Sequence, residues 1–133
     1  MSAERATYLD SSAIVKLVIA EPESAALQRY VRRRRPLVSS ALAKTEVARA
    51  LLPLGTSAVQ RGREALGRLE LIRVSDRILA AAGDLRPPEL RTLDAIHLAT
   101  AQEVGIDLAR LITYDERLGS AAAANGIPIE APR

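Results

Sequence analysis

Short apolar stretches of three or four residues recur along the chain, separated by longer segments whose apolar positions fall three and four apart. The first pattern predicts strands and the second predicts helices. Strands are predicted over residues 7–9, 37–39, 71–74, 111–114 and 127–129. Helices are predicted over residues 12–20, 23–34, 41–52, 57–69, 75–83, 92–104 and 115–124. Ser11 or Ser12, Thr56 or Ser57, Ser75 and Thr92 are the expected caps. Pro36, Pro53 with Gly55, and Pro87 with Pro88 interrupt the pattern where chain breaks are needed. Strands alternating with helices predict an α/β fold, a short, mainly parallel sheet with helices on both faces. No repeat, linker or low-complexity segment divides the chain. Residues 1–133 are expected to form one domain.

Composition narrows the chemistry. There is no cysteine, which excludes disulfide scaffolds, thiolate zinc sites and a cysteine nucleophile. His97 is the one histidine, so two histidines cannot share acid–base work within a chain. Tyr8, Tyr30 and Tyr114 are the only aromatic side chains, which weighs against RNA modules that stack bases on several rings. Charge interrupts every stretch long enough to span a bilayer. Met1–Arg5 carries both signs of charge and lacks the pattern of a signal peptide, so a cytosolic protein is expected.

Three aspartates stand where a predicted strand hands over to a helix or where a helix begins. Asp10 follows the first strand, Asp115 follows the fourth, and Asp94 lies in the first turn after Thr92. Aspartate suits such positions as a cap, so each one alone has a structural explanation. In a parallel sheet, however, they would share one edge, the edge where ligands bind. Three close anions need compensation, and hard divalent cations with oxygen ligands supply it. Glu46 is the fourth candidate. It sits within a helix among Leu42, Ala43 and Ala50, with Arg49 as its expected ion-pair partner.

These residues carry a resemblance. Leu9-Asp10-Ser11-Ser12-Ala13-Ile14 resembles the opening motif of PIN domains, and Leu93-Asp94-Ala95-Ile96-His97-Leu98-Ala99 their central motif. Leu111-Ile112-Thr113-Tyr114-Asp115 resembles their final Thr-x-Asp after a buried strand, and Glu46 stands where the family keeps its glutamate. The likeness spans residues 8–129 and is strongest toward VapC toxins of toxin–antitoxin pairs. It implies a PIN-like three-layer sandwich and a Mg²⁺- or Mn²⁺-dependent endoribonuclease. It also implies a homodimer and a small antitoxin partner. Carried over by position, Asp10, Glu46, Asp94 and Asp115 would be the catalytic and metal-binding quartet, with Ser12 and Thr113 as supporting hydroxyls. Family members differ over the two positions after the first aspartate, so Ser11 stays open.

Setting those four aside leaves 12 acidic residues against 19 basic ones, a stronger footprint for RNA than the net charge of +3. Arg32, Arg33, Arg34 and Arg35 form the densest cluster and are candidate RNA contacts; Arg61, Arg63 and Arg68 are weaker ones. Lys16 is expected in a surface ion pair and His97 in a hydrogen-bonded packing role. The rival reading is a catalytically silent module of the same fold that binds RNA or a protein. A serine hydrolase is excluded because no Gly-x-Ser-x-Gly occurs. A haloacid-dehalogenase-like phosphatase would need an acid where Ser12 stands.

Overall fold

The computed structural model describes residues 5–133. The signal-peptide reading falls almost wholly on residues 1–4, outside that range. Five strands carry the frame: β1 (Ala6–Leu9), β2 (Leu37–Ser40), β3 (Glu70–Ile72), β4 (Leu108–Ile112) and β5 (Ile129–Glu130). Seven α-helices are interleaved with them: α1 (Ser11–Val18), α2 (Ser24–Arg32), α3 (Ala43–Leu51), α4 (Thr56–Leu66), α5 (Asp76–Gly83), α6 (Thr92–Val104) and α7 (Glu116–Ala124). None of the helices is long and apolar enough to cross a membrane among the described residues.

The sheet order is β3-β2-β1-β4-β5 and all four pairings are parallel. From β1 the chain builds outward through β2 and β3. It then returns to the other side of β1 with β4 and β5. The order therefore reverses between β1 and β4, where Leu9 lies opposite Ile112. In an open α/β sheet the crevice outside the carboxyl ends of such a strand pair is where ligands bind.

All four residues of both β1 and β2 are buried, because helices cover both faces. Successive strand residues enter different cores, as the pleat requires. Leu9 and Ile112 pack with Ile14, Leu27, Val47 and Leu51 from α1–α3. Tyr8 and Leu111 pack with Leu98 of α6 and Leu118 of α7. Ile78 of α5 and Ile96 of α6 add a smaller cluster beside Leu42 and Ile72. The result is the expected three-layer α/β sandwich, with the sheet parallel throughout.

Several boundaries differ from the sequence pattern. β4 begins at Leu108, earlier than expected, because Arg110 hides the strand character. Its guanidinium reaches Thr7 Oγ1 on the neighbouring strand. β5 starts at Ile129, since Pro128 has no N–H and contributes only its carbonyl, which accepts from Leu111 N–H at 2.9 Å. Three expected caps also move. Asp10, not Ser11 or Ser12, caps α1; Gly55, with φ of 98°, precedes α4; Arg91, not Thr92, precedes α6 without a side-chain cap bond. Ser75 does cap α5, accepting from Ile78 N–H at 3.2 Å.

Candidate functional site

Asp10 leaves the carboxyl end of β1 and turns the chain into α1. Its Oδ1 accepts from the Ala13 N–H at 3.0 Å and from the Ser12 hydroxyl at 2.7 Å. Its Oδ2 accepts from the Thr113 hydroxyl just past β4. The two hydroxyls bind onward: Ser12 Oγ accepts from Tyr114 N–H at 3.1 Å, and Thr113 Oγ1 accepts from Asp115 N–H at 3.0 Å. Asp10 is thus laced to the loop between β4 and α7, and it is 4% exposed. Burial pushes its pKa up, and the bonds from Thr113, Ala13 and Ser12 oppose that rise without cancelling it.

Asp115 caps α7. Its Oδ1 accepts from Arg117 N–H at 2.9 Å and Leu118 N–H at 3.2 Å, which leaves Oδ2 outside the cap. Asp94 is half-buried in the first turn of α6. Burial lifts its pKa first, then the negative charge of Asp115, with smaller pushes from Asp10 and Glu46. Asp94 therefore lies within electrostatic reach of the other three acids.

Glu46 projects from α3 and does not pair with Arg49, its expected partner. Oε1 instead accepts from the Ser11 hydroxyl at 2.6 Å and meets His97 Nε2 at 2.6 Å. Burial alone would raise the Glu46 pKa, but the bonds from His97 and Ser11 outweigh it and hold it below the usual value. His97 is buried, and its Nδ1 lies 2.7 Å from the Tyr8 hydroxyl. The two rings meet edge to face, 5.9 Å between centroids. The expected hydrogen-bonded packing role of His97 is present, but its link to Glu46 was not legible in the sequence. The one available signal was the placement of His97 one helical turn after Asp94.

The arginine run behaves differently from the acids. α2 carries the chain back across the sheet, so Arg33, Arg34 and Arg35 precede β2 at the opposite edge. Arg34 stacks 3.7 Å over the Tyr30 ring and bonds the Tyr30 carbonyl. Arg32, Arg35 and Arg68 line a cavity of about 240 Å³ there. Arg61 bonds Ser57 within α4. Two arginines that the sequence did not single out stand where helices open: Arg91 precedes α6 and Arg117 lies in the first turn of α7. With Arg86 they line a cavity of about 790 Å³ along α7, which Glu89 and Glu116 also line. Lys16 forms the expected surface pairs, with Glu23 at 3.0 Å and Glu21 at 3.5 Å.

Among the described residues no three Asp, Glu or His side chains meet as a closed metal cage. The donor set nonetheless fits a hard divalent cation. All donors are carboxylate oxygens, Asp115 Oδ2 and Glu46 Oε2 lie outside the bonds described, and no hydrogen bond contributes to the state of Asp94.

The doubly wound sheet with acids at its switch point is a known architecture, and the PIN domain family model matches residues 7–124. The chain belongs to the PIN domain family. Among its relatives is Ribonuclease VapC46 of Mycobacterium tuberculosis strain H37Rv, 62% identical over 96% of this chain and 98% of that protein. Ribonuclease VapC35 of the same organism is 40% identical over 94% of this chain and 96% of the relative. Among solved structures, a toxin–antitoxin complex from Klebsiella pneumoniae matches at TM-score 0.72 and 26% identity, covering 96% of this chain and 98% of that one. Mycobacterium tuberculosis VapC20, described as a sarcin–ricin loop cleaving toxin, matches in fold at TM-score 0.76 and 16% identity, covering 95% and 99%.

Proposed function

We propose that the chain is a metal-dependent endoribonuclease, the toxin of a toxin–antitoxin pair, acting as one cytoplasmic domain. The observation that carries this reading is the placement of Asp10 and Asp115 just past the carboxyl ends of two adjacent central strands, with Asp94 feeling the charge of both and of Glu46. Kinship with VapC ribonucleases over nearly the whole chain supports it. Asp10, Glu46, Asp94 and Asp115 would hold Mg²⁺ or Mn²⁺. When bound, such an ion lowers the pKa of water and stabilises charge on the scissile phosphate.

The chain's own groups supply the rest. Thr113 and Ser12 donate to both oxygens of Asp10 and so favour its ionised form against burial. Arg91 and Arg117, at the starts of α6 and α7, supply guanidinium forks for RNA phosphates. Exposed Leu52 and Leu54, on the turn after α3, offer apolar surface for a protein partner, an antitoxin or a second copy.

The test is cleavage of a structured RNA panel by wild type and Asp94→Asn, with Mg²⁺, Mn²⁺ or EDTA. Cutting that requires both metal and Asp94 is expected. Wild-type cutting that persists in EDTA, or in Asp94→Asn at equal metal, sinks the metal-site reading. RNA binding without cutting across the panel would favour the silent module.

A further inference from the structure

Glu46 is held unlike the three aspartates. Asp10 and Asp115 cap the helices they open, so their own backbone fixes them. Asp94 lies in the first turn of α6. Glu46 caps nothing and its side chain is 22% exposed, so its long stem needs another constraint.

That constraint is a chain of hydrogen bonds from three other elements. Tyr8, on β1, is fully buried and its hydroxyl meets His97 Nδ1. His97, on α6, turns Nε2 onto Glu46 Oε1. Ser11, at the start of α1, donates to the same oxygen. Nε2 faces a carboxylate, which only accepts, so Nε2 carries the proton and Nδ1 accepts from Tyr8. Both contacts to Glu46 fall on Oε1, which leaves Oε2 outside the bonds described.

The chain of bonds also sets register. Tyr8 lies on β1 two residues before Asp10, which follows that strand, and His97 lies three residues after Asp94 on the same helix face. Ser11 adjoins Asp10. Each group that holds Glu46 is therefore rigidly tied to one of the aspartates.

We propose that His97 is a positioning residue: oriented by the Tyr8 hydroxyl, it clamps Glu46 Oε1 and presents Oε2 to a divalent cation shared with the aspartates. This rests on the metal-site reading above. A ring that merely filled the core would give stability but would not couple to Glu46 in cation binding.

Two measurements separate those roles. Because the chain has one histidine, its imidazole ¹⁵N signals are assignable without ambiguity. In metal-free wild type they should show the Nε2–H form, with Nδ1 shifted by Tyr8→Phe. The Nδ1–H form, or no response to Tyr8→Phe, overturns the orienting step. Calorimetric titration with Mn²⁺ then compares wild type, Tyr8→Phe, His97→Leu, His97→Gln, Glu46→Gln and the pair Glu46→Gln with His97→Leu. His97→Leu should weaken Mn²⁺ binding about 10- to 100-fold, the usual effect of losing such a partner. His97→Gln, which keeps an N–H donor, should recover most of the loss, and Tyr8→Phe should lose less. In the Glu46→Gln background His97→Leu should add nothing. An undiminished affinity in folded His97→Leu, or the same loss with Glu46 already removed, overturns the proposal. Should His97→Leu not fold, Tyr8→Phe, which changes a single hydroxyl, carries the comparison. Wild type that binds no Mn²⁺ overturns the metal-site reading instead, and the ¹⁵N arm still decides the orientation of His97.

Discussion

Asp94 and Glu46 are held in opposite electrostatic states. Asp94 has its pKa raised by burial and by Asp115, so its ionised form works against the fold. That penalty is present above the raised pKa and is relieved as pH falls through it. Glu46 has its pKa lowered by His97 and Ser11 despite burial, so its ionised form supports the fold. That support is present above the ordinary carboxylate value and is lost as pH falls through the lowered one. In EDTA at pH 7, Asp94→Asn should therefore raise the melting temperature, and Glu46→Gln should lower stability by about 1–2 kcal/mol. Thermal melts of both variants check the pair, and a fall in Asp94→Asn would contradict the repulsion. The positions of three aspartates were legible in the sequence, because a buried strand followed by a cap residue is a local pattern. The partner of Glu46 was not: His97 lies 51 residues away, and Arg49, one turn along, looked nearer.

Among the elements, the loop from β4 into α7 is fastened by α1. Ser12 donates to Asp10 and accepts from Tyr114 N–H, so one hydroxyl joins a helix start to a strand end 102 residues later. Ser12→Ala would leave that amide without its partner, at a cost of about 1–3 kcal/mol if it stays buried. Hydrogen exchange at the Tyr114 amide should quicken by an order of magnitude or more, while amides in the middle of α6 hold their protection. Unchanged exchange at Tyr114 would mean that the loop is held otherwise. The order and type of the elements followed from the sequence because strands of three or four apolar residues alternate cleanly with amphipathic helices. Their ends did not, for reasons outside the local pattern. Arg110 satisfies its charge on a neighbouring strand, and Asp10 takes the cap that adjacent serines were expected to fill.

For the whole molecule, what matters is where charge stands relative to the sheet edges. The densest arginine run, Arg32–Arg35, drew notice in the sequence but lies at the edge away from the acids. A linear reading cannot show that a helix has carried the chain to the far side. Arg91 and Arg117, isolated in sequence, stand at the starts of α6 and α7, the helices that carry Asp94 and follow Asp115. In an Asp94→Asn background, Arg91→Ala and Arg117→Ala should each weaken RNA binding. Each should also flatten the slope of log K against log salt by about 0.7, the value for one contact to a single strand. Arg33→Ala should do neither. Binding isotherms from low to physiological salt make the comparison, and an effect confined to Arg33→Ala would move the RNA path to the opposite edge.

The pairing of β1 with β4 has a consequence for synthesis. Asp10 and Thr113, joined by a hydrogen bond, are separated by 103 residues, and Asp115 comes later still. A chain growing from its amino end holds Asp10 and Glu46 long before it holds the strand that completes their surroundings. Until β4 emerges and docks on β1, a nascent polypeptide lacks the Thr113 hydroxyl that donates to Asp10, so the surroundings of Asp10 are completed only when nearly all of the chain exists.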